Sequence, residues 1–369
     1  MFRWATPFSL AAAIASLAVG QDGPTPAKNR SGPPRAEKID AVTAAKILTA
    51  TYERTKDATT ADDFGRVIEV CERALAAQPP DKIRKYAQQL AAWAYNRRGE
   101  VFAEQAAQVF NQGNQRQANE LDALALDDFR SAVAHDGAKW KAIHNRGVSL
   151  ALHGKIDEAL ADFDAVLELN PEFLNSRFNR AEIRAQQRKW QPAIDDYTLV
   201  LKQKADDVGA LLGRGNALLK SGKLDEALAD FELALRHAPS NAVAFAGRGD
   251  VHAAAGRWNE AGEDYRQAIK IDAKLGRAYR GVAWLLATCP EDQFRDRELA
   301  LQSAEKAIAL DGQSDWTYLD VLAAAQANAG RYGEAQPTVD KALQIAPEEV
   351  VPALEGRQAL YRDRQPYRQ

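Results

Sequence analysis

One pattern recurs along this chain about every 34 residues: an Arg directly before a small residue, followed by an Asp directly before an aromatic residue. The copies in register span 145–163, 179–197, 213–231 and 247–265, and a longer copy spans 97–129. A repeat of this length is typical of stacked helical hairpins, each buried against its neighbours. The pattern therefore predicts an all-α array and directs the search for function to a surface rather than a catalytic centre.

The composition is that of an ordinary water-soluble domain, with 46% hydrophobic and 27% charged residues in 369. The formal net charge of −3 argues against a general nucleic-acid or membrane-surface binder, because such proteins need a concentrated basic field. The two cysteines, Cys71 and Cys289, are 218 residues apart, and an extended array would keep them apart. We expect both to be free, Cys71 as a small core residue and Cys289 in a loop.

The first residues form a separate segment. Arg3 precedes an apolar stretch from Phe8 to Val19, which ends in small residues. This predicts a secretory signal peptide at 1–20, cleaved before Gln21, with an uncleaved N-terminal anchor as the alternative. Residues 21–38 are rich in Pro, Gly and charge and predict a flexible leader. We therefore expect an exported protein, periplasmic or extracellular, with membrane contact only through the signal peptide.

Counted from Trp140, the repeat places Gly147 at position 8, Ala159 at 20, Phe163 at 24 and Pro171 at 32. These residues resemble the tetratricopeptide repeat (TPR) of an exported bacterial type. The resemblance implies a right-handed α-solenoid of about seven hairpins, with an N-terminal helical pair and a C-terminal capping helix. The segments after the leader are then a helical region at 39–91, seven repeats at 92–139, 140–173, 174–207, 208–241, 242–275, 276–315 and 316–349, a cap at 350–362 and a tail at 363–369.

The Arg and Asp of the pattern fall at positions 7 and 23, which the two antiparallel helices of a hairpin bring together. Repeats 1 to 5 carry both residue types and repeats 6 and 7 carry neither. This joint presence predicts a structural ladder of salt bridges, with an anion-binding Arg array as the alternative. Its members are Arg98, Asp128, Arg146, Asp162, Arg180, Asp196, Arg214, Asp230, Arg248 and Asp264.

The resemblance also implies that a partner binds the concave surface, lined by positions 2, 5, 6, 9, 12 and 13 of the first helix in each hairpin; we call these the groove positions. Position 6 is Asn in repeats 2 and 3 but Gly in repeats 4 to 6, a partial likeness to the asparagine ladder of O-linked N-acetylglucosamine transferases. Amides and charges here could satisfy the backbone of a bound chain, and aromatic residues could anchor it. The alternative for each residue is an ordinary solvated face. The predicted groove residues are Lys141, His144, Asn145, Phe178, Asn179, Glu182, Asn216, Asp250, Arg280 and Trp284.

Repeat 3 carries an Arg stripe at 177, 180, 184 and 188, which predicts either cations paired with nearby acids or an anion site. The sequence contains neither H-E-x-x-H nor G-x-S-x-G, and its five His show no metal-ligand spacing. We therefore predict a non-enzymatic chain without cofactor or metal.

These features together predict a scaffold that holds a peptide or helix of a partner protein in its groove. Two alternatives stay open. The chain could be an accessory subunit of an envelope enzyme system, such as polysaccharide synthesis or glycosyl transfer, or it could be a structural spacer.

Overall fold

The computed structural model describes residues 41–369, so the predicted signal peptide and leader lie outside the described residues. The described residues contain seventeen α-helices, two short 3-10 turns and no β-strand. The helices are α1 (Ala41–Arg54), α2 (Ala61–Ala76), α3 (Asp81–Asn111), α4 (Gln115–His135), α5 (Trp140–Leu152), α6 (Ile156–Leu169), α7 (Leu174–Gln186), α8 (Trp190–Gln203), α9 (Val208–Lys220), α10 (Leu224–His237), α11 (Ala242–Ala254), α12 (Trp258–Ile271), α13 (Gly276–Thr288), α14 (Arg297–Asp311), α15 (Trp316–Asn328), α16 (Tyr332–Ile345) and α17 (Val351–Arg362). The 3-10 turns are Asp292–Phe294 and Glu348–Val350.

Local sequence sets the ends of these helices. Before α9 and α11, Asp207 and Asn241 accept hydrogen bonds from the backbone N–H three residues on, which satisfies a donor at the helix start. After α9, Gly222 has φ 80° and Lys223 N donates to Leu218 O, so a left-handed residue closes the helix. The short turn that follows brings the next helix back antiparallel.

Aromatic rings and glycines pack the hairpins of the second half together. The Phe231 ring is fully buried and lies against Gly215 of its own repeat and Gly247 of the next. A Cβ at Gly247 would sit closer to this ring than real carbon atoms approach. Tyr265 lies against Gly281 in the same way. Position 6 is therefore glycine in repeats 5 and 6 because the ring of the preceding repeat takes the space of a side chain.

Two compact units divide the chain between Gln186 and Gln187, at the connection from α7 to α8. In the first unit, α3 and α4 have 31 and 21 residues and pack along each other. The predicted boundary between 91 and 92 falls inside α3, because the helix continues through it without a break. In the second unit, α17 follows the last hairpin as the cap does in the prediction.

Both cysteines are free and fully buried. Burial raises the pKa of Cys71 to about 12, which keeps it a neutral thiol in the core formed by α1, α2 and α3. Cys289 directly follows α13.

Candidate partner-binding surface

The predicted ladder residues form bidentate salt bridges in four hairpins. Arg146 donates from Nε and Nη2 to the two carboxylate oxygens of Asp162, at 2.8 and 2.6 Å. The carboxylate is 8% exposed and the guanidinium 26%. Three further pairs have the same form: Arg98 with Asp128, Arg214 with Asp230 and Arg248 with Asp264. Each Asp is desolvated by the hairpin and depends on its Arg for its charge partner.

Arg180 and Asp196 are the ladder residues of repeat 3. Arg180 forms a salt bridge with Asp164, and Asp196 is buried in α8. A bidentate pair that the sequence pattern does not contain joins Asp320 of α15 to Arg357 of the capping helix. Asp320 lies at position 5 of repeat 7 and not at the ladder position 23, so this pair is separate from the ladder.

The predicted Arg stripe does not form a single row. Because Arg188 has φ 58° and lies after α7 ends, it is not on the helix that carries the other three. Arg177 donates to Pro171 O at 2.7 Å, and Arg188 pairs with Glu349 and stacks over Trp190. In these contacts the arginines of the stripe pack against neighbouring residues and form ion pairs and hydrogen bonds.

Asn145, a predicted peptide-gripping amide, donates to the side chains of Asn96 at 3.0 Å and Glu100 at 3.2 Å. Asn96 also donates to Glu100 at 2.8 Å. These residues lie on α3 and α5, so the long α3 brings its own acceptors to the amide. The Nδ2 group of Asn145 is therefore already engaged within the first unit, and a partner would have to displace these contacts to use it.

His144 is buried rather than presented to a partner. Its side chain is 7% exposed, Nδ1 lies 2.8 Å from Ser176 Oγ, and the ring packs edge-on against Phe173. Burial lowers the pKa of His144 to about 4, so the ring is neutral near pH 7. The prediction placed it in the groove by its repeat position, but the following repeat covers it.

Four other predicted residues of the first unit lie on α5 and α7. Lys141 is exposed, with its ammonium 5.5 Å from the Trp140 ring. Phe178, Asn179 and Glu182 are half-buried on α7. The side-chain amide of Asn179 makes no hydrogen bond among the described residues.

In the second unit, the groove positions of α9, α11 and α13 converge on Asp250. Arg277 donates to Asp250 Oδ2 from Nε at 3.0 Å and from Nη2 at 2.8 Å, and Nη2 also donates to Asn216 Oδ1 at 2.8 Å. The Tyr265 hydroxyl donates to Asp250 Oδ1 at 2.8 Å, and Arg280 Nη2 lies 3.8 Å from Oδ2. Burial opposes ionisation of Asp250, but Arg277 and Arg280 outweigh it and lower the pKa of the carboxyl.

Lys220 adds an unpaired cation to this cluster. It lies one helical turn beyond Asn216 on α9, reaches solvent, and forms no ion pair or hydrogen bond with another described residue. Burial and the charges of Arg280 and Arg277 lower the pKa of Lys220, although Asp250 acts in the opposite direction. We call Lys220, Asp250, Arg277 and Arg280 the basic cluster. Within these four residues three cations face one carboxylate, and Asp315 also attracts Arg280, so the remaining positive charge attracts anions. Sequence analysis places Arg277 at groove position 2 but missed Lys220, although Lys220 occupies groove position 13.

Trp284, the last predicted groove residue, is half-buried because the chain's own tail covers it. The ring centroids of Trp284 and Tyr367 are 5.8 Å apart, and the guanidinium of Arg357 lies 5.7 and 5.3 Å from the two rings. Trp284 is thus in contact with Tyr367 and Arg357 of its own unit.

Neither a metal site nor a membrane-spanning helix is found in residues 41–369. No cluster of three or more His, Cys, Asp or Glu side chains in this range is arranged to hold a metal ion. None of the helices in the same range is both long and apolar enough to span a bilayer.

Comparison with known proteins identifies the repeats. A family model described as Tetratricopeptide repeat matches residues 144–208 and 212–275. No curated protein sequence matches the chain.

Among solved structures, a tetratricopeptide repeat protein from Parabacteroides merdae is 18% identical with a TM-score of 0.55, over 72% of this chain and 98% of that one. Yeast Tom70 is 14% identical with a TM-score of 0.46, over 96% and 69% of the two chains. YrrB, described as a TPR protein with an unusual peptide-binding site, is 21% identical with a TM-score of 0.40, over 48% and 88%. The first of these likenesses shows the fold.

Proposed function

We propose that this chain, a tetratricopeptide repeat protein, is a non-catalytic scaffold that binds an acidic segment of a partner protein at the groove positions of α9, α11 and α13. The family supports the general role of protein–protein interaction, and the basic cluster supports the choice of surface and partner charge.

The observation that carries the proposal is the charge imbalance around Asp250. Arg277 and Arg280 already stabilise the one carboxylate, and Lys220, which Asp250 also attracts, forms no ion pair or hydrogen bond among the described residues. A carboxylate of an incoming segment would relieve the repulsion among the three cations and gain charge-assisted hydrogen bonds. Complementary charge of this kind also speeds encounter and selects among partners.

An exposed small residue lies beside the cluster. The groove positions on α11 are Val243, Ala246, Gly247, Asp250, Ala253 and Ala254, of which Ala246, Gly247 and Ala253 are buried and Ala254 is exposed. Backbone atoms of an extended segment can therefore approach α11 at Ala254 while its acidic side chains reach the cluster. Asn216 supplies an amide at the cluster's edge for the backbone of that segment.

A charge reversal tests the proposal. A fluorescently labelled Glu-rich decapeptide is titrated with the full chain and with Lys220→Glu, and fluorescence anisotropy gives the dissociation constants. Because Lys220 is unpaired and reaches solvent, the substitution leaves the fold intact, and we expect at least tenfold weaker binding, about 1.4 kcal/mol or more. Raising the salt concentration should narrow the difference.

Lys202→Glu is the matched control, because Lys202 is exposed on α8, the second helix of its hairpin. It makes the same change in net charge and should bind the decapeptide like the unaltered chain. Equal loss in both variants, or no binding by the unaltered chain, would contradict the proposed surface.

We further propose, from residues 1–20, that the chain is exported. N-terminal sequencing of protein from the extracytoplasmic fraction should begin at Gln21, and recovery of the intact N-terminus in the cytosol would contradict export.

A further inference from the structure

The C-terminal tail turns back onto groove positions. Arg364, with φ 54°, ends α17, and Gln365 N donates to Leu360 O at 2.8 Å. Pro366, Tyr367 and Arg368 are then half-buried. Tyr367, Arg368 and Gln369 contact Trp284, Ala287 and Thr288 of α13 and Asn328 of α15, at positions 9, 12 and 13 of repeats 6 and 7. The tail therefore covers the part of the surface where the repeat pattern predicts a partner.

The contacts of the tail are those of a bound peptide. Gln369 N donates to Thr288 O at 2.9 Å, and Arg368 donates to Ala287 O at 2.9 Å and to Asn328 Oδ1 at 3.0 Å. Both carbonyls belong to the last turn of α13, where a helix leaves its acceptors unsatisfied and carries partial negative charge. A cation and a backbone N–H are the groups that such a helix end binds best.

Trp284 and Arg357 complete the binding site of the tail, which we call the seat. Tyr367 packs against Trp284, and Arg357 lies over both rings. Asp320 holds Arg357 in place through two hydrogen bonds of 2.8 and 2.9 Å. The side chains that contact the tail here therefore come from α13, α15 and α17.

The tail fits this seat incompletely. Asn328 Nδ2 is buried without a hydrogen-bond partner among the described residues, while Oδ1 of the same amide accepts from Arg368. Burial and the nearby Arg295 and Arg297 lower the pKa of Arg368, so its charge is disfavoured here relative to water. An unsatisfied amide and neighbouring like charges both reduce the free energy that the tail gains by staying bound.

We propose that the segment Pro366–Gln369 is an intramolecular ligand, and that its seat on α13 and α15 binds an extended peptide with an aromatic residue directly before an Arg. This inference rests on the proposed function in taking the groove positions as a binding surface, but it concerns a different part of that surface and a different ligand chemistry. An incoming peptide competes with the tail, whose attachment to α17 gives it a high effective concentration.

A peptide supplied in trans tests the inference. The probe is the labelled hexapeptide RQPYRQ, which copies residues 364–369. Two acceptors are compared with the intact chain: a variant that ends at Asp363, and a full-length variant with Tyr367→Ala and Arg368→Ala. We expect both acceptors to bind the hexapeptide at least tenfold more tightly than the intact chain, as measured by anisotropy. A hexapeptide with Ala in place of Tyr and Arg should not bind.

Each other outcome overturns the inference. If both acceptors melt like the intact chain and neither binds the hexapeptide, the tail is a structural cap and not a ligand. If both acceptors fail to fold, the tail belongs to the core. If the intact chain is a dimer that the truncation converts to a monomer, the occupant is the tail of a second copy. Because the Glu-rich decapeptide binds elsewhere, failure here leaves the test of Lys220→Glu unaffected.

Discussion

Replacing Asp162 by Asn tests whether the repeated Arg and Asp stabilise the hairpin. The substitution keeps the shape of the side chain but removes the charge that faces Arg146. It also places an NH₂ group against one of the two guanidinium donors, so at least one hydrogen bond is lost. The carboxylate is 8% exposed, which means that water replaces little of the lost interaction.

The magnitude follows from burial. Removing one partner of a fully buried pair costs about 3–5 kcal/mol, because the other charge is left unpaired. Arg146 is 26% exposed and can recover part of its solvation, so we expect a loss near 2–3 kcal/mol. A pair on the protein surface would be worth only about 0.2–1 kcal/mol.

Native-state hydrogen exchange measures this loss, because a repeat array need not unfold in one step. Amides of α5 and α6 should lose about 2–3 kcal/mol of protection in the variant. The control is Glu158→Gln on the same helix: its pair with Lys155 spans 3.3 Å, with 58% and 45% of the two side chains exposed. The control should change protection by less than about 0.5 kcal/mol. Equal protection in Asp162→Asn and the control would refute the structural role of the ladder.

Three further outcomes are expected. Gly247→Ala drives a methyl group into a buried ring and should cost about 1–3 kcal/mol of unfolding free energy in urea, whereas Gly262→Ala, which meets only an ordinary contact at 3.6 Å, should be neutral or stabilising; equal effects would contradict the ring packing. Gly222→Ala should lower stability by about 1 kcal/mol because φ is 80°, and Gly333→Ala, with equally empty surroundings but no positive φ, should not. Burial lowers the pKa of His144 to about 4 in the folded state, against 6.5 in the unfolded state. The free energy of unfolding should therefore be highest above pH 6.5 and fall by about 3 kcal/mol as the pH drops to 4. In urea titrations, the free energy of unfolding of His144→Gln should lack most of this pH dependence.

The repeat period predicted most of the secondary structure, because glycine and proline punctuation recurs with it. Helices α5, α7, α9, α11, α13 and α15 begin at the residues where the pattern starts a repeat. The pairing of Arg with Asp was also predictable, since both types are present or absent together. These features depend on contacts within one hairpin, whose geometry the sequence spacing fixes.

Contacts between hairpins were less predictable. Asn145 meets Asn96 and Glu100 because the lengthened α3 reaches it, and the position of His144 gives no sign of the cover provided by Ser176 and Phe173. Repeat positions describe an average hairpin, so they do not indicate where a neighbouring helix is longer than usual or where a neighbouring residue covers the site. The contacts of the tail with α13 and α15 were not predicted for the same reason.

Site-specific photo-crosslinking tests the central claim that a partner segment binds at the basic cluster. A photoreactive amino acid is placed at Ala254, which is exposed one helical turn beyond Asp250 on α11, in one variant and at Lys202 in another. Both variants keep Lys220, Arg277 and Arg280 and are irradiated in native extract with and without the unlabelled Glu-rich decapeptide. We predict one protein adduct at position 254 that the decapeptide suppresses and that maps to an acidic segment, with no such adduct at 202. Adducts of equal yield at both positions, or an adduct at 254 that the decapeptide does not reduce, would contradict binding at the basic cluster.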